Sequence, residues 1–180
     1  MTPAVSTPAV STPVLFTPEL SAPARPDLAR IARRIAADPA RWRPLVRFDA
    51  DERWYTRLAV TDDHEVWLLS WLPGQRTGIH DHGGSAGAFA VAQGVLREDT
   101  VDGLPGGDPA GRRVAVSSAY HEAGAVRPFD SRHVHEIVND GTMPAVSVHV
   151  YAPALDSMNR YRLVDGVLEL AVSERAGADW

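Results

Sequence analysis

The chain has 180 residues, a formal net charge of −5 and no cysteine. Without cysteine there can be no disulfide, thiolate zinc site or cysteine nucleophile. The mild acidity argues against a nucleic-acid partner, and no apolar run approaches the roughly 20 residues needed to span a bilayer. An apolar fraction of 44% at this length fits one domain with a sizeable core. Every basic residue is arginine, which we read as a coding bias rather than a function. The N-terminus lacks a basic stretch followed by an apolar one, so no secretory signal is read there and a cytoplasmic protein is expected. A monomer is expected, with neither nucleic acid nor membrane as partner.

In chain order, residues 1–24 hold the repeat PAVSTPAVSTPV and are expected to be a disordered Pro/Ser/Thr-rich tail. Residues 25–180 are expected to form a single domain. Asp27 can cap a helix running to Ala37, with Leu28, Ile31 and Ile35 along one face. Pro39 interrupts it, and a second short turn follows through Arg41 and Trp42. Strands are expected over 55–60, 65–72, 86–92, 95–100, 114–116, 132–138, 145–151 and 163–172. Pro73-Gly74 and Gln93-Gly94 read as turns, and the Gly- and Pro-rich stretch over 102–111 reads as a surface loop. Many short strands after a helical lead-in predict an all-β sandwich or barrel.

Three histidines carry the chemistry. His80 and His82 alternate, so on a strand both face one side, and His135 can meet them from another strand. Converging imidazoles make a metal site. No carboxylate is expected in it. Three neutral ligands leave a divalent ion its full charge, which favours a substrate that brings its own anion, and a thiolate is suitable. Spacing alone does not choose iron over zinc, nickel, manganese or copper. His133, two residues before His135, competes for the same role, and Asn139 favours His135. Asp81 points to the opposite face and reads as structural. His64 and His121 read as unconnected with the metal.

The run Gly74, His80, His82, Gly87 and Gly94 resembles the first cupin motif, and His135 with Asn139 resembles the end of the second. Most cupins have a metal-binding Glu where this chain has Gly87. The segments WYTR (54–57), IHDHGGSAGAF (79–89), HEIVN (135–139) and PAVSVHVYAP (144–153) together resemble the type I cysteine dioxygenases, thiol dioxygenases of bacterial type. The resemblance implies a cupin β-barrel (a double-stranded β-helix or jelly roll) behind an N-terminal helical segment. It implies Fe(II) held by His80, His82 and His135, with L-cysteine and O2 as substrates and cysteine sulfinate as product. It implies a catalytic line of Ser147, His149 and Tyr151 beside the iron. It also implies Arg57 on the substrate carboxylate, Tyr55 close by and Trp71 at the pocket. Alternatives are a 3-mercaptopropionate dioxygenase, in which Gln typically stands at the place of Arg57, and a non-catalytic metal-binding cupin. Mammalian relatives have a cysteine at the place of Gly87, joined to the tyrosine. Here Tyr151 must stay an unmodified phenol.

Overall fold

The computed structural model describes residues 26–102 and 110–176. The expected tail, and 103–109 of the expected surface loop, lie outside the described residues. Among the described residues, no helix is long and apolar enough to cross a membrane.

Two helices come first, α1 (Leu28–Ala36) and α2 (Pro39–Trp42). The Asp27 side chain accepts from the Arg30 backbone N–H at 2.9 Å, so α1 begins where its cap predicts. The strands follow: β1 (Tyr55–Val60), β2 (Glu65–Trp71), β3 (Ile79–His80), β4 (Ala86–Gln93), β5 (Val95–Asp102) and β6 (Arg112–Arg113). After them come β7 (Ala115–Glu122), β8 (Val126–Phe129), β9 (His135–Val138), β10 (Ala145–Ala152), β11 (Ser157–Val164) and β12 (Val167–Arg175).

They form two antiparallel sheets, one five-stranded in the order β1-β2-β10-β4-β8 and one seven-stranded in the order β6-β12-β11-β3-β9-β5-β7. The chain passes repeatedly from one sheet to the other. This is the double-stranded β-helix of the expected cupin fold.

The central strands of the five-stranded sheet, β2, β10 and β4, are buried on both faces, and their alternation assigns each face a job. Val66, Leu68, Ala88, Ala90, Val146, Val148 and Val150 face outward onto Ala32, Ile35 and Ala36 of α1. Covering that face matters energetically, because fully burying a side chain of the size of Ile35 is worth about 1.5–3 kcal/mol. The opposite face joins Leu69, Trp71, Phe89 and Val91 to Leu96 and Ile137 in the barrel interior. Ser147, His149 and Tyr151 share that inner face, one residue out of step with the valines.

Several elements differ from the sequence reading: the strand expected over 114–116 runs on to Glu122 as β7, and β6 and β8 were not expected. The single strand expected over 163–172 is a hairpin, β11 to β12, turning at Asp165 and Gly166, which have φ of 51° and 77°. Asp-Gly is a strong two-residue hairpin signal, and here it overrides the apolar run around it. The strand expected over 132–138 begins only at His135.

Candidate metal centre and its cavity

His80 ends β3, His135 begins β9, and the two are register partners. His82 does not arrive by strand alternation, because β3 stops at His80. It arrives by a tight turn through Asp81 and Gly83. The Asp81 carboxylate accepts from the Gly83 and Asn159 backbone N–H groups at 3.0 and 3.1 Å, and from the Tyr161 hydroxyl at 2.7 Å. Asp81 is structural, as expected. Gly83 has φ of 58°, and a Cβ there would stand 2.4 Å from the Ser157 carbonyl oxygen, so the turn can lie this close to β11 only as glycine.

The three imidazoles form a nearly equilateral cluster, with ring centroids 4.8, 5.0 and 5.0 Å apart. One nitrogen of each lies within 4.8 Å of the others. Hydrogen bonds decide which nitrogen is presented. His80 Nδ1 is 3.0 Å from the Gly78 carbonyl, which can only accept, so Nδ1 carries the proton and Nε2 keeps its lone pair. His135 Nδ1 is 2.7 Å from Glu98 Oε1 and is fixed in the same tautomer. Neither nitrogen of buried His82 has a protein partner among the described residues. Such an orphan costs about 1–3 kcal/mol, and a metal ion on one nitrogen would remove much of that penalty. Burial, then the neighbouring imidazoles, hold His80 and His82 well below the usual histidine range. Burial lowers His135 as well, with Glu98 opposing. All three are neutral, the form that binds metal. The donor set fits a divalent ion.

Sequence reasoning missed Glu98. It is fully buried and gathers His133 Nε2 at 2.8 Å, His135 Nδ1 at 2.7 Å, His121 Nε2 at 3.1 Å and Arg127 Nε at 3.1 Å. Burial pushes its carboxyl up, but the bonds from His133 and His135 outweigh that and hold it well below the usual carboxylate range. His133 is therefore a partner of Glu98 and is not in the triad. A signal existed in the sequence: Leu96 and Glu98 share a strand face, so an acid stands on an apolar face.

The Ser-His-Tyr line is also present. Trp71 Nε1, which can only donate, is 2.9 Å from Ser147 Oγ. Ser147 Oγ is 2.8 Å from His149 Nε2, and His149 Nδ1 is 3.3 Å from the Tyr151 hydroxyl. The arrangement that satisfies every group runs one way. Trp71 donates to Ser147, Ser147 to His149 Nε2, and the protonated Nδ1 to the Tyr151 oxygen, which frees the phenol proton for a further acceptor. Burial pulls His149 down to about 3 and raises Tyr151, so both are neutral across the physiological range. The Tyr151 ring lies 5.3 Å from that of His82.

Tyr151 also walls a cavity of about 90 Å³, together with Arg53, Tyr55, Trp67, Leu69, Leu155, Met158 and Arg160. A water needs roughly 10–15 Å³, so the space suits a small molecule. Tyr55 is where expected. Two expected residues are not in the wall. Trp71 is completely buried and serves as the first donor of the relay. Arg57 has a side chain 54% exposed, its guanidinium lies over Trp67, and it stands 3.7 Å from Glu65. The carboxylate partner and the ring hold it away from the cavity. Asn139 is structural: its Nδ2 donates to the carbonyls of Trp71 and Met143, tying β2 to the loop after β9.

Gly87 accounts for the missing fourth ligand. A Cβ there would stand 2.4 Å from the Phe129 ring and 3.0 Å from the Val150 carbonyl oxygen. Phe129 occupies the space and stacks on His82 and His133 at 4.7 and 4.9 Å. Gly87→Ala is therefore expected to destabilise the protein by about 1–3 kcal/mol through overpacking. Urea midpoints of the two proteins check this, and equal midpoints would show that Phe129 yields freely.

Buried neutral histidines also set an acid limit. Unfolded histidines take up protons near pH 6.5, whereas folded His80, His82, His135 and His149 stay neutral lower. In that window the unfolded state binds more protons, so metal-free protein loses stability as pH falls below about 6.5. Each such group contributes up to ~1.4 kcal/mol per pH unit. Glu98 has the same sign in a lower window. Its depressed folded value gives stability that is present above the unfolded carboxylate value and lost on acidification below it. Urea midpoints of metal-free protein at neutral and mildly acidic pH measure the slope, and a flat profile would contradict neutral burial.

The profile of one protein family, cysteine dioxygenase type I, matches residues 24–163. A relative from Danio rerio named cysteine dioxygenase type 1 is 29% identical over 129 residues, and one of the same name from Homo sapiens is 30% identical over 131. Each alignment covers 69% of this chain and 63% of the relative, so the chain spans somewhat less than two thirds of their length. Among solved structures, a Thermus thermophilus protein superposes with TM-score 0.52 at 19% identity, covering 62% of this chain and 93% of that one. A Klebsiella pneumoniae protein with a double-stranded β-helix domain superposes with TM-score 0.51 at 21% identity, covering 72% and 93%. These likenesses show the fold. With the family profile covering most of its length, the chain belongs to the cysteine dioxygenase type I family.

Proposed function

We propose that the protein is a thiol dioxygenase that uses ferrous iron, held by His80, His82 and His135, to add both atoms of O2 to the sulfur of L-cysteine, giving cysteine sulfinate. The observation that supports this best is a cage of three neutral imidazoles with no carboxylate, set beside a small cavity that holds a phenol. Such a cage leaves a divalent ion its full charge, so an incoming thiolate is favoured. His80, His82 and His135 would hold ferrous iron, which would supply a Lewis-acidic, redox-active centre for the thiol and dioxygen. Across the whole reaction the S–H bond and the O–O bond break, two S–O bonds form, and sulfur supplies the electrons that dioxygen takes up. The proton leaves from the sulfinic acid.

The protein's own groups orient the reactants. Tyr151, with its oxygen fixed by His149 Nδ1, turns its hydroxyl proton into the cavity. There it hydrogen-bonds to substrate or dioxygen. Ser147 and Trp71 fix the His149 tautomer and so the direction of that proton. Tyr55 and Trp67 line the same cavity as Tyr151. Holding the reacting groups together supplies much of the rate.

The test is oxygen uptake by iron-loaded protein with L-cysteine under oxygen-18. The expected result is one dioxygen consumed per sulfinate, with both product oxygens labelled. Absence of uptake and of sulfinate would reject the reading.

A further inference from the structure

The three imidazoles are not held alike. His135 is backed by the Glu98 carboxylate at 2.7 Å and His80 by the Gly78 carbonyl at 3.0 Å. The His82 ring has no hydrogen-bond partner among the described residues and meets only other rings, those of Phe129, Tyr151, His80 and His135. A hydrogen bond to the far nitrogen ordinarily fixes the aim of a ligating imidazole. The aim of His82 must come instead from the backbone that carries it. That backbone lies outside any strand, because β3 ends at His80.

One side chain governs this stretch. The Asp81 carboxylate closes a turn over His82, its Oδ1 accepting from the Gly83 N–H at 3.0 Å. The same oxygen accepts from the Asn159 backbone N–H at 3.1 Å. Oδ2 accepts from Asn159 Nδ2 at 2.9 Å and from the Tyr161 hydroxyl at 2.7 Å. The Asp81 N–H donates to the Asn159 carbonyl at 3.0 Å. Asn159 is in turn held from β12, where the Ser173 hydroxyl donates to its Oδ1 at 2.6 Å. A turn needs one such bond to close, and the other three reach β11. Bonds to an ionised carboxylate are among the stronger ones. We propose that Asp81 is the positioning residue of the metal centre, doing for His82 through the backbone what Glu98 does for His135 through the ring. Ligand atoms must be held to within about 0.5 Å of the productive geometry. This role rests on the metal centre of the proposed function and not on the thiol chemistry.

The probe is cobalt(II), whose visible absorption follows the number and geometry of its ligands. Wild type, D81A, D81N and I35A are compared as full chains for cobalt(II) affinity against a chelator, for that spectrum and for melting temperature. D81A is expected to bind cobalt(II) about 10- to 100-fold more weakly, with a changed spectrum. D81N keeps an acceptor for the Gly83 and Asn159 N–H groups, and the Tyr161 hydroxyl can turn to accept from its amide. Its affinity should stay within about threefold of wild type. Ile35 packs on the outer face of the five-stranded sheet, away from the centre. I35A should therefore melt lower yet keep wild-type affinity and spectrum. Histidine-ring NMR of metal-free protein gives a second readout. The His82 ring signals, displaced by Phe129 stacked at 4.7 Å, should move in D81A further than those of His135. Should D81A not fold, D81S carries the test. Its hydroxyl can close the turn but not reach β11, and a loss of about 3- to 10-fold is expected.

Wild-type affinity, spectrum and His82 ring signals in the folded alanine or serine variant overturn the assignment, as does a loss that I35A matches. Loaded wild type that consumes no oxygen with L-cysteine rejects the thiol chemistry alone, and Asp81 then stands or falls on the cobalt(II) comparison. Wild type that takes up no cobalt(II) removes the metal centre and the role of Asp81 with it.

Discussion

His82→Leu is expected to lower bound metal from about one ion per chain to below about 0.1, and thiol turnover by about 1000-fold or more. The same change should cost the metal-free protein less than about 1 kcal/mol. The two halves of this expectation come from one observation: His82 is buried with both nitrogens unpartnered by protein. A residue held by protein contacts would lose them on replacement and destabilise the fold. The His82 ring has only packing against Phe129, Tyr151 and the imidazoles of His80 and His135, which leucine largely restores. Removing an orphaned polar group offsets what packing is lost. Metal-loaded protein should lose the additional stability that ion binding confers. Elemental analysis and paired urea titrations, with and without metal, read both halves. A variant that keeps a full complement of metal would remove His82 from the centre.

Glu98→Gln carries the second large effect. Glu98 is the carboxylate that fixes the His135 tautomer, and it also takes bonds from His133, His121 and Arg127. Glutamine keeps the shape but offers one acceptor oxygen and two donor hydrogens, so at least one surrounding donor faces another donor. Removing an outer partner of a ligating imidazole typically weakens metal binding by about 10–100-fold. Breaking a buried charge cluster typically costs about 3–5 kcal/mol. The variant is expected to show both, with His80 and His82 still able to hold metal weakly. Competition against a chelator measures the first and chemical denaturation the second. Wild-type values for both would reduce Glu98 to a bystander.

Much of this was legible in the sequence because it is written in periodicity. The helix is marked by the Asp27 cap and the spacing of Ile31 and Ile35, the inner line of β10 by Ser147, His149 and Tyr151 at every second residue, and the cage by His80, His82 and His135 with their flanking glycines. The helix and the β10 line depend on neighbours a few residues away, whereas in the cage His82 follows the end of β3 and His135 comes from the distant β9. What was not legible depends on contacts between distant segments. Arg53 and Arg57 alternate onto one face and look alike locally. Which one enters the cavity is decided by Glu65 and the rings of Trp67 and Trp71. Trp71 looked like a pocket residue, and its role as first donor of the relay needed the position of Ser147 across the sheet. Glu98 and the Asp165-Gly166 turn left local signals, an acid on an apolar face and a two-residue hairpin sequence. Both were masked by the hydrophobic runs around them.

The three imidazoles are placed to hold an ion with no carboxylate attached. Anomalous scattering at the iron edge from crystals of iron-loaded protein tests this most directly. The expected result is a single peak bounded by His80, His82 and His135, with Glu98 bonded to His135 and away from the ion. A peak instead between Glu98, His133 and His135, a carboxylate joined to the ion, or no peak at all would contradict it.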